Sequence, residues 1–139
     1  MKRIYLVFTL PFLLFGFLML ASCGSSTDPN GGDNGAPSAP ANLSGTSGDQ
    51  EIQLNWAAND EENLSGYNVY RSTESFSDAS GMDPINGGSP ISSPEYTDTE
   101  LENGTTYYYR ITAVNSNDNE SAVSSQLEIT PFSNPPDRP

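Results

Sequence analysis

Over most of the chain, apolar and polar residues alternate with a period of two. In Glu51-Ile52-Gln53-Leu54-Asn55-Trp56, residues Ile52, Leu54 and Trp56 fall on one face. Gly66-Tyr67-Asn68-Val69-Tyr70-Arg71 repeats the pattern with Tyr67 and Val69 inward. The run TYYYRITAVN places Tyr107, Tyr109, Ile111 and Ala113 together, and Leu127 pairs with Ile129 further on. Turn-forming clusters separate these runs: SGD at 47–49, NDEEN at 59–63, ENG at 102–104 and NSNDNES at 115–121. No window after residue 23 sustains a 3.6-residue apolar period. Several short strands between residues 40 and 131 predict an all-β sandwich.

The N-terminus breaks this pattern. Met1-Lys2-Arg3 precedes the apolar run IYLVFTLPFLLFGFLML at residues 4–20. A positive start followed by such a run is an export signal, oriented by the charge left on the cytoplasmic side. Its length also admits a permanent transmembrane anchor. Leu20-Ala21-Ser22-Cys23 resembles the lipobox of bacterial lipoproteins, a leucine and two small residues before a cysteine. That resemblance implies removal of residues 1–22 and attachment of a diacylglycerol to Cys23. At about 0.8 kcal/mol per buried CH₂, two acyl chains hold a protein stably at a membrane. Gly24, where some Gram-negative lipoproteins carry an inner-membrane-retaining Asp, points to the outer membrane of a bacterial cell envelope. Residues 24–39, GSSTDPNGGDNGAPSA, hold nothing able to offset ordering entropy and read as a flexible tether.

Composition narrows the chemistry. All 18 acidic residues follow Cys23, whereas Lys2 and Arg3 precede it. A chain processed at Cys23 keeps three arginines against 18 carboxylates, a formal charge of −15. Such a chain repels nucleic acid, whose capture needs clustered Lys or Arg. It repels anionic headgroups too, so membrane contact is expected through lipid on Cys23. There is no histidine, and no lysine after the leader. The usual neutral-pH general base and Schiff-base chemistry are therefore missing. A single cysteine allows neither an internal disulfide nor a cysteine-rich zinc site. No metal or cofactor is expected.

The order and spacing of several residues resemble a fibronectin type III domain over about residues 37–131. They are Pro40 and Leu43, then Leu54-x-Trp56, then Gly66-Tyr67-x-Val69-Tyr70-Arg71. Tyr96-x-Asp98 follows, then Leu101-x-x-Gly104-Thr105-x-Tyr107-x-Tyr109-Arg110-Ile111-x-Ala113-Val114-Asn115 and a closing Ser124 to Pro131. The resemblance implies a seven-stranded antiparallel, immunoglobulin-like sandwich with strands at about 41–47, 51–58, 65–72, 83–87, 94–98, 105–115 and 121–130. The first, second and fifth would form one sheet and the others the second. Trp56 and Tyr67 would sit in the core, with Tyr107 as a corner tyrosine tied back to upstream backbone. The expected organisation is a signal peptide at 1–22, lipidated Cys23 and linker to 39, the domain at 40–131 and an irregular tail at 132–139. The stretch from Ser72 to Pro94 is long for its place, and some of Phe76, Met82, Ile85 and Ile91 are expected to cover the sandwich edge.

Candidate chemistry is sparse. Asp60, Glu61 and Glu62 in one loop and Asp118 and Glu120 in another lie at the same end of an immunoglobulin-like sandwich. A paired-carboxylate hydrolase or a weak calcium site is conceivable there, but solvated loop acids are expected, since no apolar surroundings raise a pKa. Tyr70 and Tyr108 point outward by parity on neighbouring strands and are the candidate binding residues, as a platform for a sugar ring or a protein partner. The alternative is an ordinary cross-strand pair. Arg71 and Arg110 are expected to pair with nearby acids. Bacterial domains of this type often accompany polysaccharide-degrading enzymes or adhesins. The resemblance thus implies a non-catalytic, lipid-anchored envelope protein presenting its domain to a protein or glycan, or else an assembly subunit without a ligand, or least of all a small polysaccharide-active enzyme.

Overall fold

The computed structural model describes residues 35–133. The leader, Cys23, most of the tether and all but the start of the tail lie outside them. The described chain is all-β, with six strands: β1 (Ser44–Ser47), β2 (Ile52–Asn55), β3 (Leu64–Ser72), β4 (Glu95–Asp98), β5 (Tyr107–Asn115) and β6 (Leu127–Ile129). They form two three-stranded antiparallel sheets, ordered β1-β2-β4 and β3-β5-β6.

Alternation is what closes the sandwich. Ile52 and Leu54 from one sheet meet Tyr67, Val69, Tyr109, Ile111 and Ala113 from the other, and all are buried. Trp56 packs edge-to-face on Tyr67, with centroids 5.3 Å apart at 74°, a preferred aromatic arrangement. The Tyr67 hydroxyl accepts the Asn59 N–H at 2.8 Å. The Tyr107 hydroxyl accepts the Glu102 N–H at 3.1 Å, five residues upstream, which makes the corner tie. At the side where β1 approaches β6, Gly45 gives the required clearance: a Cβ there would stand 2.8 Å from Leu127 Cδ2.

The seventh strand expected at 83–87 is absent. Pro84 to Gly87 form a turn closed by the Gly87 N–H on the Pro84 carbonyl, with Gly87 at φ +83°. The exposed edge of β3 is satisfied by other means. Asn86 Oδ1 accepts the Val69 N–H at 2.7 Å, while the Ile85 N–H donates to the Val69 carbonyl. Ile91 exchanges two backbone hydrogen bonds with Tyr67, both 2.9 Å. A side-chain amide and an isolated bridge thus occupy the edge that a strand would otherwise pair.

The last strand is also shorter than the expected 121–130. Ser121 and Ser124 hold the segment before it to β5. Their hydroxyls accept the Ala113 and Ile111 N–H groups, and their own N–H groups donate to the carbonyls of those same residues. Two serines three positions apart serve two β5 residues two positions apart. Backbone pairing in strict register cannot bridge that mismatch, and a hydroxyl reaching from each serine does.

Candidate functional site

The polar chemistry collects in three places. The first lies inside the sandwich. Asp98 ends β4 on its inward face and is 6 % exposed. Arg71 Nη1 donates to both of its carboxylate oxygens at 2.9 Å, and the Tyr109 hydroxyl donates to Oδ2 at 2.6 Å. Asp98 belongs to one sheet and both donors to the other, so the cluster ties the sheets together. Burial, then the hydrogen bond to Asp98 and its negative charge, push the Tyr109 hydroxyl far above the ordinary tyrosine range. Burial works against the Arg71 cation, but Asp98 outweighs it and raises the Arg71 pKa. The guanidinium also lies 5.6 Å from the Tyr107 ring centroid.

The second cluster lies on the outer face of β3 and β5. Glu120 Oε1 accepts from the Tyr70 hydroxyl at 2.7 Å, from Asn68 Nδ2 at 3.1 Å and from the Thr112 hydroxyl. Burial alone would raise the Glu120 pKa, but these three donors overcome it and hold the carboxyl below its ordinary value. Burial, the hydrogen bond to Glu120 and its charge push Tyr70 up to about 12.

Tyr70 therefore differs from the expectation of an open aromatic platform. It is on the outer face, but only 4 % of it is exposed. The long segment after β3 folds back over it: its residues 78–82, with residues 120–123 that follow β5, line a 440 Å³ recess around the Tyr70 ring. Tyr108 is half-buried and stands opposite Ser72 rather than Tyr70, whose own cross-strand partner is Arg110. The two rings are thus diagonal neighbours, and one of them is covered.

Arg71 finds an acid, as its surroundings predict, and Arg110 does not. Arg110 donates to the backbone carbonyls of Phe76 and Ser124, and its guanidinium lies 5.8 Å from the Phe76 ring centroid. Phe76 thereby clamps the covering segment onto the sheet, together with the bond from its N–H to Gln126 Oε1. Of the apolar residues in that segment, Ile85 and Ile91 pack against the core.

The loop acids stay apart. Glu61 Oε1 takes the Ser38 N–H at 2.8 Å and Asn59 Nδ2 at 3.5 Å. Burial would raise its pKa, and these hydrogen bonds bring it below the ordinary value. Glu120 turns instead onto the sheet. Among the described residues no three acidic or other ligand side chains gather in a metal-binding group.

The third place is the outer face of β2 and β4, which sequence reasoning did not single out. A 740 Å³ groove runs there, bounded by residues 90–93. Gln53 stands opposite Thr97 and Asn55 opposite Glu95, all four exposed. Parity alone could have placed them together, because they are the positions that Ile52 and Leu54 leave facing out.

A two-sheet antiparallel sandwich of this topology, with a corner tyrosine and a tryptophan between the sheets, is immunoglobulin-like in class. The fibronectin type III domain family matches residues 38–130, and the chain belongs to that family. It is 35 % identical over 102 residues to an amylopullulanase of Thermoanaerobacter thermohydrosulfuricus, covering 69 % of this chain and 6 % of that one. An amylopullulanase of Thermoanaerobacterium saccharolyticum is 34 % identical over 101 residues, covering 68 % and 7 %. The chain thus spans less than a tenth of the length of these relatives. Among solved structures, an Fn3-like protein from Clostridium thermocellum superposes with a TM-score of 0.53 at 29 % identity, covering 74 % of this chain and 99 % of that one.

Proposed function

We propose that this protein is a non-catalytic, lipid-anchored component of a bacterial cell envelope that displays its fibronectin type III domain to a protein or a glycan. One observation carries the display role. Segments about a third identical to this domain make up only 6 % and 7 % of two amylopullulanases, where they are accessory to a much larger chain. The polar clusters support the absence of catalysis. Asp98, Glu120, Arg71 and Arg110 are engaged in holding sheets and loops together rather than in surrounding a reacting atom. The basic start, the apolar run and Leu20-Ala21-Ser22-Cys23 support the anchor.

Intact mass of the membrane-extracted protein, measured beside Cys23→Ala, tests the anchor. The expected mass lacks residues 1–22 and carries two or three acyl chains, and the variant loses both changes. An unprocessed chain, or a soluble chain cut elsewhere, overturns the reading. A second reading, an assembly subunit with no soluble ligand, draws on the covering of Tyr70 by the chain's own segment. Crosslinking in intact envelopes separates the two, since a fixed stoichiometric partner favours the subunit.

A further inference from the structure

We propose that the outer face of β2 and β4 is a binding site for a neutral glycan, seated in the groove beside residues 90–93. This deepens the display reading and rests on it. The groove is broad and open to solvent, with 740 Å³ between its walls, room for a chain of sugar rings lying along it. Six polar side chains line it: Gln53, Asn55, Ser92, Ser93, Glu95 and Thr97. None of the six hydrogen-bonds through its side chain to another described residue. The contrast with the opposite sheet is sharp, since there Asn68, Tyr70 and Thr112 are all spent on Glu120.

The chemistry of those six selects the ligand. Two amides and three hydroxyls each both donate and accept, and Glu95 accepts only. A sugar hydroxyl likewise donates and accepts, so such an array matches a polyol. The lining contains no cation to hold an anionic polymer. Its one aromatic residue, Tyr96, packs against the core and gives its hydroxyl to the Ile85 carbonyl at 3.2 Å, and the lining has no Trp or Arg of the kind on which protein interfaces usually turn.

The walls are preorganised. Ile91 is pinned by two backbone hydrogen bonds to Tyr67, and the Pro94 carbonyl accepts the Trp56 N–H at 3.1 Å. Pro90 and Pro94 restrict the turn between them. The floor is a hydrogen-bonded strand pair. A ligand therefore meets fixed backbone and needs to order only exposed side chains, which limits the entropic cost of binding.

The test is affinity electrophoresis of the detergent-solubilised full chain through native gels containing pullulan or amylopectin. Retardation that saturates with polymer concentration is expected. Gln53→Ala combined with Asn55→Ala should weaken it at least about tenfold, since two hydrogen-bonding side chains are lost. Glu128→Ala, at an exposed position of β6 on the other sheet, should leave it unchanged. Trp56 fluorescence reports whether each variant is folded. Retardation that survives Gln53→Ala with Asn55→Ala overturns this site while leaving the display reading standing. No retardation of the wild-type chain by either polymer overturns the glycan assignment, and an envelope-crosslinked partner without lipid on Cys23 would overturn the display reading separately.

Discussion

Replacing Asp98 by Ala tests whether the ionic cluster between the sheets is structural. The substitution removes the acceptor of Tyr109 and the counter-charge of Arg71 together. Tyr109 is 0 % exposed, so its hydroxyl is left buried without an acceptor, at a cost of about 1–3 kcal/mol. The Arg71 side chain is 33 % exposed, so water reaches the guanidinium and its loss is nearer ~1 kcal/mol than the ~3–5 kcal/mol of a fully buried pair. The sum is about 2–4 kcal/mol, or roughly 10–20 °C in Tm for a domain of this size. Asp98→Asn keeps the shape and one acceptor, and should cost about 1–2 kcal/mol.

Trp56 is the sole tryptophan and lies in the core, so urea unfolding followed by its fluorescence reports the whole sandwich. A double-mutant cycle with Tyr109→Phe removes the orphaned hydroxyl. Asp98→Ala should then cost about 1–3 kcal/mol less than it does alone. If Asp98→Ala shifts stability by less than ~0.5 kcal/mol, or the two changes simply add, the cluster is not what joins the sheets.

Gly66→Ala should destabilise by about 1–3 kcal/mol, because the added Cβ would stand 2.6 Å from the Ile91 carbonyl oxygen and must push the edge segment off β3; urea midpoints measure it. Asn86→Ala should cost about 1–2 kcal/mol and speed hydrogen exchange at the Val69 amide, whose acceptor it removes. Alkaline stability should fall from about pH 10 as Tyr70 approaches its folded pKa of about 12, because the unfolded chain gives up that proton first. The Tyr109 hydroxyl, raised further, extends the same trend upward. In acid the depressed Glu120 carboxyl acts oppositely: its contribution is present above its ordinary value of 4.5 and is lost as pH falls through the lower folded value. Tyr70→Phe with Thr112→Val should shrink the acid-side loss, as read from urea midpoints between pH 3 and pH 6.

What was legible in the sequence follows from what periodicity encodes. A period of two names the residues that share a face, and Ile52, Leu54, Val69 and Ile111 sit where that rule puts them. It does not say what covers the other face. Tyr70 is outward by parity and still buried, because the segment at 78–82 returns to lie over it. Phe76, Met82, Ile85 and Ile91 announce that the segment covers an edge, and Ile85 and Ile91 do pack on the core, but nothing in its Ser, Gly, Asp and Pro says that residues 78–82 lie over an outward tyrosine. Arg110 was misread for the same reason. Its partners are two backbone carbonyls, and a carbonyl leaves no mark in the sequence.

The edges of the sheets carry the same lesson further. A β-edge needs its N–H and C=O groups met, and the expectation of a seventh strand assumed that backbone would meet them. Here Asn86 closes one edge, and Ser121 and Ser124 close another. Side chains that mimic backbone leave no alternating pattern behind, so such edges look like loops in the sequence. They also fix how the domain can be used. With β3 capped by Asn86 and Ile91, and Tyr70 overlaid by residues 78–82, strand addition to β3 and stacking on the Tyr70 ring are both blocked. The polar face of β2 and β4 keeps the amides of Gln53 and Asn55 and the hydroxyl of Thr97 uncommitted among the described residues, which is why the proposed glycan site falls there and not on the opposite sheet.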